Sequence, residues 1–365
     1  MRITKIELGM LRVPLKTPFR TALRTVEQVE DIVVRVQTDT GHVGYGEAPP
    51  TAAITGDTHA TIIRAIRADI APVVIGEEVA DIDRLVHLIQ GALAGNTSAK
   101  AAMEIAIFDL WAQLHQVPLC QKLGGDLAVI TTDVTISVND VDTMVADAIQ
   151  AVAQGYRALK IKLGKDARLD VERVMAIHAA VGSGIALRLD ANQGWTAEQT
   201  VRVLSTLESA GVHPELVEQP VPARDLDGMC YVTARVSTPV VADESVFSPA
   251  DALEVIRRGA ANIINIKLMK AGGISGALRI ADIAAEHGMT CMIGCMLESS
   301  ISVAAAAHVA AARPTVITKV DLDGPSLCQY NPVEGGVMFQ GPQIALVDAP
   351  GLGIRHVRGV EKLSD

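Results

Sequence analysis

From about residue 129 to residue 324 the chain repeats one pattern of apolar and polar positions. Short, almost continuously apolar runs alternate with longer stretches whose apolar residues return every three or four positions. The short runs are VITTDVTISV, RALKIKLG, IALRLDANQ, PELVEQPV, PVVADESV, NIINIKLMK, TCMIGCMLES and TVITKVDLDG. Strands that are apolar on both faces belong to a parallel sheet covered by helices. Eight such strands with seven intervening helices, at a repeat of roughly 25–30 residues, predict a (β/α)8-type barrel. A doubly wound open sheet shares the alternation and is the structural alternative. One helix start is signed in full: Ser248 as N-cap, Pro249 at the first helical position and Asp251 in the first turn.

Ahead of residue 126 the pattern differs. MRITKIELGMLRVPL and VEDIVVRVQTDTGHVGYGE read as strands, with a hairpin turn at Asp39-Thr40-Gly41. Helical periodicity follows near 58–71, 80–93 and 97–116. The expected organisation is therefore an α+β module over 1–125, an α/β barrel over 126–325 and a Gly- and Pro-rich tail over 326–365 that packs back on the first module.

Composition narrows the partners. Hydrophobic residues make up 49% of 365 positions but aromatics only 3%, so Ala, Val, Ile and Leu must fill a large core. A net charge of −10 opposes a nucleic-acid or anionic-membrane partner. No run approaches a membrane span, and MRITKIELGM lacks the apolar core of a signal peptide. Five cysteines, odd in number and set in apolar segments, read as reduced thiols. A cytoplasmic protein is expected.

Charge appears where each apolar run stops. Lys160 and Lys162 end the second run, Asp190 the third, Glu218 the fourth, Asp243 the fifth, Lys267 the sixth and Glu298 the seventh. Asp321 and Asp323 end the eighth. From Lys162 to Asp321, successive members stand 23 to 31 residues apart, in phase with the repeat. Barrel enzymes carry their chemistry on the C-terminal ends of the strands, so the series converges on one mouth.

Asp190, Glu218 and Asp243 on successive strands would repel one another without a cation. An all-oxygen set with no His or Cys points to Mg²⁺, with Mn²⁺ as a substitute, rather than zinc. Lys162 and Lys267 flank the trio from opposite sides. Lys160 shares a face with Lys162, and their repulsion should depress the Lys162 pKa toward that of a working base. Two bases opposed across a metal-bound carboxylate suit removal of an α-proton and its return on the other face. A Schiff-base lysine, as in barrel aldolases, is the rival chemistry. In an extended strand Asp321 and Asp323 share one face and need a cation between them.

The segments ALKIKLG, LRLDANQGW, LVEQPV, VADESV and INIKLMKAGG together resemble the enolase superfamily, in its muconate-lactonising branch with the Lys-x-Lys motif. TPFRTALRTV and GYGEAPPTAAITGDT resemble that family's capping domain, whose loops cover the barrel mouth. MLESS and DLDG resemble its dipeptide epimerases, and TALRTV those acting on L-Ala-D/L-Glu. The resemblance implies an isomerase that moves a proton at Cα of the C-terminal residue of a dipeptide, through an enediolate, in cell-wall peptide metabolism. It implies Mg²⁺ on Asp190, Glu218 and Asp243, with Lys162 and Lys267 as acid/base pair and Lys160 tuning its neighbour. Asn192 and Glu244 would support the metal ligands. Asp321 and Asp323 would hold the substrate ammonium, Arg24 the glutamyl side chain, and Glu298 would join the substrate site. A homo-oligomer is implied as well. An N-acylamino-acid racemase or a cycloisomerase of the branch, and a non-catalytic peptide-binding barrel, are the alternatives.

Overall fold

The computed structural model describes residues 1–364. Strands β1 (Ile3–Arg20), β2 (Thr25–Thr38) and β3 (Val43–Ala48) form an antiparallel sheet, turning at Gly41, where φ is +81°. The two faces of this sheet serve two cores. Leu8, Met10, Ile32, Val34 and Val36 pack on the cap helices, while Leu11, Val13, Val29 and Val33 join the core of the barrel. This split is the period of two in a strand, with both faces buried. Gly44 and Gly46 lie on the helix side: a Cβ at either would strike the backbone of Ala106 or Ala102 in the helix Thr97–Leu114. That close approach seats β3, and with it Glu47 on the barrel side, paired in register with Val33.

The run VITTDVTISV divides into two strands. β4 (Val129–Thr131) pairs antiparallel with a strand of the tail, and β5 (Val134–Ile136) opens the barrel. The other barrel strands are β6 (Ala158–Lys162), β7 (Ala186–Asp190), β8 (Leu216–Glu218), β9 (Val240–Ala242), β10 (Ile263–Lys267), β11 (Thr290–Gly294) and β12 (Ile317–Asp321). They form one parallel sheet in sequence order, with a helix after each strand. The amide of Asp133 reaches the carbonyl of Val320 at 3.3 Å, bringing the first and last strands together. The result is a nearly closed eight-stranded barrel, as the sequence predicts, and the doubly wound alternative falls.

Inside the barrel, Leu216, Val241, Ile263 and Met292 form a small apolar cluster. Beside it Arg188 donates to Asp133 (2.8 Å), Glu215 (2.6 Å) and the carbonyl of Val320 (2.9 Å). The tail contributes β13 (Val333–Gly335), β14 (Val337–Gln340), β15 (Gln343–Leu346), β16 (Ile354–Val357) and β17 (Val360–Lys362). Its pairing is divided: β17 adds to β1 of the cap sheet, and β15 pairs with β4.

Candidate active site

Parallel strands bring their C-terminal ends to one rim, so residues at equal depth in neighbouring strands face one void. In register, Lys162 lies opposite Asp190 and Asp190 opposite Glu218. A pocket of about 580 Å³ of empty space opens over that rim. Lys160, Lys162, Lys267, Asn192, Asp321 and Asp323 line it from the barrel. The cap closes it from above with Phe19, Leu23, Arg24 and Ile54.

The charged groups form two ion clusters, one on each side of the mouth. Lys162 Nζ lies 2.6 Å from Asp190 Oδ2. Lys160 Nζ lies 3.2 Å from that same oxygen, 2.8 Å from Glu218 Oε2 and 2.6 Å from Asp321 Oδ2. Across the mouth Lys267 Nζ lies 2.7 Å from Asp243 Oδ2, and Lys270 Nζ 2.6 Å from Asp243 Oδ1. The repulsion expected between Lys160 and Lys162 is therefore met by a carboxylate oxygen set between them. Burial disfavours charge on every member, and the partners decide the outcome. Burial would raise Asp190 and Asp243, but Lys162 and Lys160 hold the first below its ordinary pKa, and Lys267 with Lys270 hold the second far below. Lys160 is raised well above the usual lysine value against burial, by Asp321, Glu218 and Asp190. Glu218 is pushed up to about 8 by burial and by the charge on Asp190.

Among the described residues no three Asp, Glu, His or Cys side chains close around a point as a ready-made metal cage. The acids turn toward ammonium groups instead. Their chemistry nevertheless fits a hard divalent cation: three buried carboxylates and no softer donor among them. Glu218 Oε2 and Asp243 Oδ1 are buried without an aligned hydrogen-bond donor, although an ammonium lies near each. Asn192 stands beside the trio, its amide N–H donating to Asp190 Oδ1 at 2.9 Å and its side chain to Glu244 Oε1 at 3.4 Å.

Two expectations need correction. β12 ends at Asp321, and Asp323 has φ −89° and ψ −7°, so the pair does not share a strand face. Gly324-Pro325 turns the chain into a short helix there, yet both carboxyls still reach the pocket. Asp321 is ion-paired with Lys160, and Asp323 Oδ2 accepts from the amide of Thr135 at 2.6 Å. Glu298 lies beyond the end of β11 and is not on the pocket wall. Its oxygens are engaged by the amide of Met296 and the hydroxyl of Ser302.

The structure also adds residues that the strand-end pattern does not single out. Lys270 is fully buried and donates to the carbonyls of Asp243 and Asn265. Asn265 donates to Glu218 Oε1 at 2.8 Å; it shares the inward face with Lys267, two positions away, which period two could have shown. Gln219, at φ +34°, accepts from the amides of Asp243 and Ser245 and donates to Val221 and Ser245. No sequence signal announces that left-handed turn.

Residues 5–124 match the mandelate racemase / muconate lactonizing enzyme N-terminal domain, and residues 143–358 the enolase C-terminal domain-like family. The chain is 48% identical to an L-Ala-D/L-Glu epimerase of Clostridium acetobutylicum, over 98% of this chain and 99% of the other. It is similar to the substrate-liganded L-Ala-D/L-Glu epimerase of Bacillus subtilis, with a TM-score of 0.96, 46% identity and 99% of each chain covered. It is also similar to the Enterococcus faecalis dipeptide epimerase solved with Mg and L-Leu-L-Tyr. There the TM-score is 0.94 and the identity 42%, over 98% of this chain and 100% of that one.

Proposed function

The chain belongs to the mandelate racemase / muconate lactonizing enzyme family of the enolase superfamily, and from that premise we propose that it is a Mg²⁺-dependent dipeptide epimerase of the L-Ala-D/L-Glu type. The observation that carries the reading is one pocket lined at once by Lys162 and Lys267, by Asp321 and Asp323, and by Arg24. A dipeptide with an acidic second residue has an ammonium, a Cα–H and a side-chain carboxylate to match those three features.

Asp190, Glu218 and Asp243 would hold Mg²⁺, which supplies positive charge to the substrate's terminal carboxylate as negative charge grows there. Lys162 and Lys267 then act from opposite faces of Cα, one taking the proton and the other returning one, through an enediolate. Each must be neutral to accept a proton. The ion pairs with Asp190 and Asp243 are the contacts that a cation bound to those acids would weaken. Lys160 balances the buried carboxylates and steadies Lys162. Asp321 and Asp323 receive the ammonium by charge-assisted hydrogen bonds. Burial lowers the Arg24 guanidinium's pKa, opposed by the charge of Asp31. A substrate carboxylate would compensate that burial.

No helix of the described residues is long and apolar enough to cross a membrane, and all five cysteines are unpaired. The free thiols support a reducing, cytoplasmic setting, and the net charge of −10 supports a small-molecule partner over nucleic acid. The test is proton NMR in D₂O with Mg²⁺ and L-Ala-L-Glu, beside other dipeptides and an N-succinyl amino acid. Loss of the glutamyl α-proton with growth of L-Ala-D-Glu is expected. Turnover of the acylated compound alone would overturn the dipeptide reading.

A further inference from the structure

Ser302, in the first turn of the helix Ser300–Ala312, presents its hydroxyl to two carboxyl groups. Oγ lies 2.8 Å from Glu47 Oε2 and 2.5 Å from Glu298 Oε2, and all three residues are buried. A hydroxyl carries one hydrogen and can donate to only one of them. The other contact needs a hydrogen from a carboxyl group.

The remaining bonds say which. Glu47 Oε1 accepts from the amide of Ser299 at 3.0 Å, and Oε2 from the amide of Ser302 at 3.1 Å as well as from the hydroxyl. Three donors at a helix N-terminus suit an ionised carboxylate. Glu298 Oε1 accepts from the amide of Met296 at 2.7 Å, whereas among the described residues Oε2 meets only Ser302. We propose that Glu298 is a neutral carboxylic acid and a positioning residue: its proton passes a hydrogen bond to Ser302, Ser302 donates on to Glu47 of the cap, and the chain fixes the loop 295–299 whose Cys295, Met296 and Leu297 wall the substrate pocket.

The groups around it agree. Asp31 on β2 and Glu47 on β3 face the seam from the cap, Cys295 flanks it on the same loop, and Lys267 on β10 is the nearby cation. Burial raises Glu298 to about 7, and the charge on Glu47 adds to it. Asp31 is pushed well above its ordinary value by burial and then by Glu47, with Glu298 adding to it. The neutral contact is thus complete below about pH 7 and is lost as the pH rises through that value. Ionised Glu298 would set a second negative charge one hydroxyl away from Glu47 and loosen the pocket wall.

The kinetic consequence rests on the dipeptide reading; the protonation state does not. Glu298→Gln keeps a donor toward Ser302 and an acceptor toward Met296, and does not titrate. The experiment measures kcat and KM for L-Ala-L-Glu from pH 6 to 9, with infrared spectra of the substrate-free proteins. Wild-type KM should rise severalfold above pH 7. Glu298→Gln should hold KM flat, with kcat within about threefold of wild type at pH 6.5, while Glu298→Ala raises KM about tenfold at every pH. At pH 6 wild type should show the carbonyl stretch of one more buried protonated carboxyl than Glu298→Gln, seen in the difference spectrum because Asp31 and Glu218 contribute equally to both proteins. Unchanged infrared spectra, the wild-type alkaline rise in Glu298→Gln, or equal damage from Gln and Ala at pH 6.5 would each overturn the proposal. An infrared difference without turnover of any dipeptide would overturn the substrate reading and leave the proton assignment standing.

Discussion

Lys160 Nζ lies 2.6 Å from Asp321 Oδ2, an ion pair that reaches past β5 to join β6 to β12 where the barrel closes. Asp321 therefore has two tasks in the proposed enzyme, balancing Lys160 and receiving the substrate ammonium. Burial would raise its pKa, but Lys160, Lys162 and Lys267 hold it down to about 2, so it is a carboxylate throughout the working range.

Asp321→Asn should raise KM for dipeptides with a free amine by about tenfold or more, the cost of one buried charge-assisted contact. An N-acylated substrate, which brings no ammonium, should suffer much less. Steady-state kinetics with both compounds decide the matter. Equal losses would mean that Asp321 acts only through Lys160.

The two lysines should be separable by stereochemistry. With Lys162→Met or Lys267→Met, epimerisation should fall by about 10²–10⁴-fold. Each variant should still exchange the α-proton of one epimer in D₂O, and the two should differ in which epimer that is. If both variants exchange the same epimer, the lysines are not opposed across Cα.

Much of this site was legible in the chain because a parallel barrel converts sequence phase into spatial convergence. Asp190, Glu218, Asp243 and Lys267 each close an apolar run, and parallel packing carries such positions to one rim. Glu298 obeyed the phase and still left the pocket. The chain beyond β11 runs through Cys295, Met296 and Leu297 before it, and the Met296 amide and Ser302 capture its carboxyl. Asp323 kept its place although its strand ended two residues early. Lys270 and Gln219 were hidden for a different reason: a short helix positions the first and a left-handed backbone turn the second, and neither follows the strand period.

Metal removal offers a test that needs no substrate. If Asp190, Glu218 and Asp243 hold Mg²⁺, adding it at a hundredfold over its dissociation constant should stabilise the fold by about 2.7 kcal/mol. EDTA should reverse that gain. Asp190→Asn should blunt the Mg²⁺-dependent rise in melting temperature while leaving the protein folded. A rise that is the same in wild type and Asp190→Asn would place the cation elsewhere.

His308 makes acid stability a separate readout of the fold. It is buried in the helix Ser300–Ala312, and its Nδ1 accepts from the amide of Cys120 at 3.0 Å. The proton of the neutral ring is therefore on Nε2, which has no hydrogen-bond partner among the described residues. Burial lowers its pKa from 6.5 to about 4, because a charged ring would be desolvated and would turn a donor toward the Cys120 amide. The unfolded chain binds the proton first, so the contribution is complete above about pH 6.5 and is lost as the pH falls toward 4. Between pH 7 and pH 5 the loss should be about 2 kcal/mol from this residue. His308→Asn keeps an acceptor for the Cys120 amide and does not titrate. Urea unfolding at pH 7 and pH 5 should show wild type losing about 2 kcal/mol more than the variant. Equal losses in the two proteins would show that the ring takes up its proton without cost, and that the contact with Cys120 is not what holds it neutral.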